Sequence, residues 1–197
     1  MPSITNNLRI LLLSLLIAPA CTTVTTQSFR ATGNANVEAS YIATDADFGR
    51  YSRLLGEDMG IFFPESSPVS EQDLQRIRQI FRSAFLAELK GYEIVQSPAP
   101  DVMTVAPSLI DLRKADLGDV PDMRVGLDAA AQPGTLVFMM ELRDSSSGRV
   151  LARAADSTKN PRITSGGHAT TDWDEVQSAA DYWSALFRQF LDQNLGR

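Results

Sequence analysis

The sequence contains a single cysteine and a single histidine, and no long apolar run follows its first twenty residues. One cysteine cannot form a disulfide within the chain, and one histidine cannot supply a His-rich zinc site. A membrane-spanning helix needs about 20 apolar residues, so we expect none. The sequence also lacks the zincin, hydrolase-elbow, P-loop, dinucleotide-binding and EF-hand motifs. We therefore expect no metal, no cofactor and no catalytic residue.

Positive charge is also scarce, because the sequence has 18 Lys and Arg residues but 24 Asp and Glu residues, which gives a net charge of −6. Nucleic acids and anionic lipid headgroups are bound through clustered positive charge. This balance argues against nucleic acid as a partner.

The first residues have the pattern of a cleavable export signal. Arg9 precedes the apolar run Ile10–Ala18, and small residues follow up to Cys21. This run is too short to span a bilayer and has the length of a signal-peptide core. We predict that residues 1–20 are a signal peptide removed just before Cys21.

Cys21 is the predicted lipidation site. The segment Ile17–Cys21 resembles a lipobox, although Ala18 stands where Leu is usual, and Ala18-Pro19-Ala20 also fits ordinary signal cleavage. Both routes cut the same bond, and the position of the lone cysteine favours lipidation. Acyl chains on Cys21 would then make the membrane a partner of the protein. Residues 21–44, which begin with a polar Thr-rich stretch, are predicted to form a flexible tether, and residues 45–197 a single domain.

Two segments have the periodicity of amphipathic helices. The first is predicted over Glu71–Lys90, with Ser70 as its cap and Gly91 as its stop. The second is predicted over Asp172–Leu195, with Thr171 as its cap. Apolar residues recur every three or four positions, so each helix should bury one face. The two stripes are Leu74, Ile77, Phe81, Phe85 and Leu89, and Trp173, Val176, Ala180, Trp183, Phe187, Phe190 and Leu191.

Strand-like runs lie mostly between these helices. Asp144–Gly148 has the composition of a hairpin loop, and Pro107 predicts an edge or bulged strand because proline has no amide to donate. The order of elements predicts an α+β domain with a largely antiparallel sheet of about four to five strands and both helices packed on one face. Lys114–Pro133 and Ser157–Thr170 are predicted loops. The predicted strands are Tyr92–Gln96, Val102–Leu112, Thr135–Arg143 and Val150–Asp156, with another near Met59–Phe63.

These motifs resemble one protein family. The lipobox-like start, Gly91–Val102, Leu109–Leu112, Arg143–Ala152 and the aromatic pattern from Trp173 to Trp183 are similar to a family of Gram-negative lipoproteins, domain of unknown function 3313. The resemblance covers most of the chain after the signal. It implies an outer-membrane lipoprotein with a compact α+β domain and no assigned activity. In the lipoproteins that this chain resembles, a residue other than Asp after the cysteine, here Thr22, accompanies sorting to the outer membrane.

Several polar residues are candidates for a functional site. His168, beside two glycines, is interpreted as an exposed loop residue. The acidic neighbours Glu57 and Asp58 and the trio Asp172, Asp174 and Glu175 could form a glycosidase-like pair, but the trio is better explained by the helix dipole. Arg76, Arg78, Arg82 and Lys90 are interpreted as the solvated face of the first helix.

The leading functional hypothesis is a non-enzymatic binding or accessory module at the periplasmic face of the outer membrane. We expect it to contact an unknown envelope protein through the Pro107 strand or the Lys114–Pro133 loop. The alternative is a binder of a small molecule or glycan in a pocket between sheet and helices. A hydrolytic enzyme is less favoured, and a structural envelope protein stays open.

Overall fold

The computed structural model describes residues 27–32, 37–63, 69–111, 136–159, 161–163 and 170–195. The predicted signal peptide, Cys21, Lys114–Pro133 and His168 lie outside these ranges. Within these ranges eight strands form one sheet, and two α-helices and one short 3-10 helix (Phe48–Arg50) accompany it. The strands are β1 (Phe29–Ala31), β2 (Ala39–Ala43), β3 (Arg53–Gly56), β4 (Gly60–Phe62), β5 (Glu93–Val95), β6 (Val102–Asp111), β7 (Leu136–Asp144) and β8 (Val150–Asp156). The helices are α1 (Glu71–Glu88) and α2 (Trp173–Leu195).

The strand order is β1-β2-β8-β7-β6-β3-β5, and β4 pairs with β6 beyond the end of β3. The four pairings from β1 to β6 are antiparallel, whereas β3 and β4 run parallel to β6, and β5 runs parallel to β3. The α+β class is confirmed. The predicted four to five strands are too few, because β1, β2 and β3 were not predicted. β1 and β3 span only three and four residues and leave little periodic signal.

Two of the additional strands lie where a tether was predicted. β1 and β2 fall within residues 21–44, and β2 pairs with β8 from Ala39↔Ala155 to Ile42↔Ala152. The folded sheet therefore begins before the predicted boundary at residue 45. The sequence pattern is weak here because β1, at the end of the sheet, presents mostly exposed side chains.

The helix ends follow local rules, with one correction. The Ser70 hydroxyl accepts a hydrogen bond from the Asp73 amide (3.1 Å) at the start of α1, as predicted. Gly91 follows that helix with φ +95°. α2 is capped by Asp172 rather than Thr171, because the Asp172 carboxylate accepts the amides of residues 174 and 175 (3.2 and 3.1 Å). Neither described helix has an apolar stretch long enough to cross a bilayer.

Both helices pack on the same face of the sheet, as predicted. The Phe138 ring on β7 stacks on Trp183 of α2 at 4.4 Å and on Phe81 of α1 at 5.8 Å. Phe85 also contacts Phe138, at 6.1 Å. Burying each of these rings contributes about 1.5–3 kcal/mol, so this aromatic cluster holds both helices to the sheet.

Pro107 does not mark an edge strand, so that prediction is wrong. β6 lies inside the sheet and pairs with β7 along Met103–Asp111. On its other side β3 ends opposite Val105 and β4 begins opposite Ser108. Pro107 therefore lies at the break between these two short strands, where no neighbouring carbonyl needs its missing amide.

The predicted hairpin between β7 and β8 is confirmed. Asp144 Oδ1 accepts the amides of Ser146 (3.1 Å) and Ser147 (2.8 Å), while Gly148 has φ +72°. The Tyr51 hydroxyl donates to Asp144 Oδ2 at 2.9 Å. Burial opposes ionisation of this carboxyl, but the hydrogen bonds outweigh it and hold the pKa of Asp144 below its ordinary value.

Candidate functional site

The acidic residues singled out in the sequence lie at two separate places. Glu57 and Asp58 occupy the link between β3 and β4, where Glu57 faces Arg143 (3.7 Å) and Asp58 faces Arg82 (3.3 Å). Each carboxylate therefore has its own cation, and both side chains are exposed. The two do not form an isolated carboxylate pair.

The trio at the start of α2 has a structural role. Besides capping the helix, Asp172 binds Arg162 Nη2 at 2.7 Å, and Glu175 binds the same nitrogen at 2.9 Å. The hydrogen bonds from Arg162 hold the pKa of Glu175 below its ordinary value. This cluster ties the segment at residues 161–163 to the helix, and Asp174 remains exposed.

The basic residues of α1 are engaged rather than simply solvated. The Arg76 guanidinium lies 4.0 Å from the ring of Trp173. Arg78 pairs with Glu71 at 3.6 Å, and its Nε donates to the Met59 carbonyl at 3.4 Å. The prediction of a solvated face therefore misses a contact between the two helices and one between α1 and the β3–β4 link. Among the described residues no group of three His, Cys, Asp and Glu side chains could hold a metal ion.

A cleft of about 470 Å³ lies between α1 and the end of the sheet that carries β3, β4 and β5. We call it the edge cleft. Its floor is apolar and consists of core side chains, whereas its rim is polar. The floor contains Leu54, Phe81, Phe85, Val105 and Pro107, and the rim contains Glu57, Asp58, Arg78, Gln79, Arg82 and Gln96.

The edge cleft follows from the break in the sheet. Because β3 ends at Gly56 and β4 starts at Gly60, no strand lies beside Pro107 on the side of β6 away from β7 over the described residues 57–59. A side chain at Gly60 would meet the Phe62 ring at 2.9 Å and Ser108 Oγ at 3.1 Å, so glycine lets β4 turn close to β6. The cleft therefore has the volume and apolar lining of a ligand site.

Two large apolar side chains remain exposed beside this floor. Leu86 on α1 is 47% exposed and Ile94 on β5 is 38% exposed, and both line the edge cleft. β5 is the last strand on this side among the strands described. Sequence reasoning missed both residues. The available signal was that Leu86 is a large apolar residue outside the buried stripe of its helix.

A second charge cluster lies on the sheet face away from the helices. The Glu141 carboxylate is 5% exposed and accepts hydrogen bonds from Arg143 and Arg153. Arg153 stands opposite Glu141 in the β7–β8 register, and its side chain is 11% exposed. Neighbouring Val137 and Met139 on the same face are buried as well. This arrangement stabilises a buried carboxylate rather than presenting it to a ligand.

Comparison with known proteins places the fold in context. A family model described as "Protein of unknown function (DUF3313)" matches residues 26–187. No curated protein matches the chain significantly. The PelC dodecamer from Paraburkholderia phytofirmans is 13% identical, with 87% of this chain and 99% of that chain covered and a TM-score of 0.37. A DUF4136 family protein from Bacteroides thetaiotaomicron is 10% identical, with coverages of 86% and 98% and a TM-score of 0.43.

Proposed function

Because the chain belongs to the DUF3313 family of proteins of unknown function, we propose from the edge cleft that it is a non-enzymatic binding module of the cell envelope. Its ligand is an extended apolar segment of another envelope protein. The observation that carries the proposal is the pair of exposed apolar side chains, Leu86 and Ile94, beside an end strand of the sheet.

The geometry of β5 favours an extended partner. Ile94 lies opposite Leu54, which belongs to the core beneath the helices, so Ile94 points to the helix side of the sheet. A strand added beside β5 would place every second side chain on that same side, above the apolar floor. The partner segment should therefore carry apolar residues at alternate positions.

A glycan fits the edge cleft less well. Sugars are commonly held on exposed aromatic faces, but both rings in this floor are occupied by core contacts. Phe81 stacks on Phe138 at 5.8 Å, and Phe85 lies 5.7 Å from Phe187. Phe81 is only 2% exposed and Phe85 only 8% exposed, so neither offers an open ring face to a sugar.

The test places a photo-crosslinking amino acid at Ile94 and, as a matched control, at Arg30. Both positions are exposed on end strands, but Arg30 lies on β1 at the other end of the sheet. We expect one envelope protein to be captured at Ile94 and not at Arg30, with the crosslink mapping to a segment of alternating apolar residues. Equal capture at both positions would contradict the proposal.

Affinity for the purified partner then tests the contact itself. Leu86→Asp should weaken binding by about tenfold to a hundredfold, since a buried leucine contributes about 1.5–3 kcal/mol. Arg30→Asp should leave affinity unchanged. Similar affinities for the parent and Leu86→Asp proteins would refute the role of the edge cleft.

Membrane attachment is a further part of the proposal. We propose that Cys21 carries acyl chains and holds the domain at the periplasmic face of the outer membrane, because the lone cysteine occupies the lipobox-like position. Cys21→Ser should move the protein from the membrane to the soluble fraction. Unchanged membrane partition of this variant would count against lipid anchoring.

A further inference from the structure

A buried carboxylate ends β8 with one oxygen unused. Asp156 is 1% exposed, and its Oδ2 accepts hydrogen bonds from Trp183 Nε1 (2.8 Å) and Thr158 Oγ1 (2.7 Å). Its Oδ1 is buried and has no hydrogen-bond partner within the described part of the chain. Buried polar atoms are nearly always paired, so this oxygen requires an explanation.

Among the residues described, the Asp156 carboxylate also has no cationic partner. Its two hydrogen-bond donors, an indole and a hydroxyl, are neutral. None of the ion pairs in the described part of the chain includes Asp156. The nearby Arg153 belongs to the other face of the sheet, where it binds Glu141. A positively charged donor would therefore satisfy both the free oxygen and the charge.

Asp156 lines a pocket of about 60 Å³ between β2, β8, β7 and α2, which we call the Asp156 pocket. The pocket exists because the helix-facing side chains of β8 are small. Ala152 and Ala154 lie beside the larger Leu142 and Met140 of β7, leaving space below α2. Leu186, Phe187 and Phe190 of α2 complete an almost wholly apolar wall. Ser40 and Ala154 remain partly exposed, so the pocket can be reached from solvent.

We propose that the Asp156 pocket binds a small primary amine with a short apolar chain, whose ammonium donates to the Asp156 carboxylate. Because Oδ1 is buried without the ligand, this carboxyl group must turn toward the pocket as the amine binds. The volume corresponds to about four to six water positions, which suits an ammonium with a short alkyl chain. The alkyl part would lie against the alanines and the α2 side chains. This site is separate from the edge cleft, and neither proposal depends on the other.

The test uses the indole N–H resonance of Trp183, which reports directly on the Asp156 carboxylate. The chain has only two tryptophans, so Trp173→Phe assigns the signal. We expect n-butylammonium to shift the Trp183 resonance in a saturable way. Butyrate, of similar size but opposite charge, should bind at least about tenfold more weakly, because it offers no charged donor to the carboxylate.

Two variants separate binding from general effects. Ala154→Leu fills the pocket while keeping the Asp156 carboxylate and should abolish the shift, with the Trp173 resonance unchanged as the folding control. Asp156→Asn should remove the preference for n-butylammonium over n-butanol. A shift that does not saturate, that butyrate produces equally, or that persists in folded Ala154→Leu protein would overturn the proposal. The absence of any amine-dependent shift, as expected if water alone satisfies Oδ1, would also overturn it.

Discussion

Glu141→Gln should be among the most destabilising polar substitutions in this protein. The change keeps the size of the side chain but removes the negative charge between Arg143 and Arg153. Arg143 retains Glu57 at 3.7 Å. Arg153 is 11% exposed at its side chain, and Glu141 is its one acidic partner among the residues described. The substitution therefore leaves a mostly buried guanidinium without a counter-charge.

The size of the loss can be bounded from these contacts. Removing one partner of a buried ion pair typically costs about 3–5 kcal/mol. The glutamine oxygen can still accept one hydrogen bond, and Arg153 keeps slight contact with solvent, so we expect about 2–3 kcal/mol. For a domain of this size that loss lowers the melting temperature by about 5–10 °C.

Urea denaturation of the parent and the variant measures this difference directly. Arg82→Gln is the matched control, because the Arg82–Asp58 pair is mostly exposed and should contribute less than about 1 kcal/mol. The double variant Glu141→Leu with Arg153→Met should recover much of the loss, because an apolar pair leaves no buried charge unpaired. A Glu141→Gln protein within about 0.5 kcal/mol of the parent would refute the reasoning.

Two other predictions concern the hairpin and the helix pair. Asp144→Asn should cost about 1–2 kcal/mol at neutral pH. Because the folded pKa of Asp144 lies below its unfolded value, its stabilisation is complete above about pH 4 and is lost as pH falls through the folded pKa. The cost, measured by urea denaturation across pH, should therefore shrink in acid, and a pH-independent cost would contradict this. Arg188 donates to the carbonyls of Glu88 and Lys90 (2.8 and 3.0 Å) at the end of α1. Arg188→Met should therefore lower the melting temperature, and a decrease no larger than that of an exposed arginine such as Arg82→Met would argue against this capping role.

The elements that could be predicted are those whose structure is set by residues close together in the chain. The start of α1 at Ser70 and its end before Gly91 rest on backbone groups within a few residues, and the Asp144 hairpin likewise satisfies its own turn. The alternation Leu136, Phe138, Met140 and Leu142 identifies the side of β7 that packs against the helices, because strand side chains alternate. These patterns were sufficient for the α+β class and the two-helix layer.

The sequence did not reveal how the strands pair. Pro107 predicted an edge strand, but it lies in an interior strand opposite a break between β3 and β4. That break is set by residues about fifty positions earlier in the chain, so no local pattern around Pro107 contains it. The strands β2 and β3 were not predicted for the same reason, since β2 pairs with β8 and β3 pairs with β5 and β6, all of which lie far along the chain.

The candidate sites also depend partly on residues close together in the chain and partly on the packing of distant segments. The sequence by itself determined the lone Cys21, the two amphipathic helices, the hairpin and the acidic balance, because each is a property of composition or of residues close together in the chain. Only the tertiary structure decided that Leu86 and Ile94 meet at the edge cleft and that Asp156 is buried beside Trp183. Solvent exposure and unpaired atoms result from packing between distant segments, and such packing is set by the whole fold rather than by any one stretch of sequence.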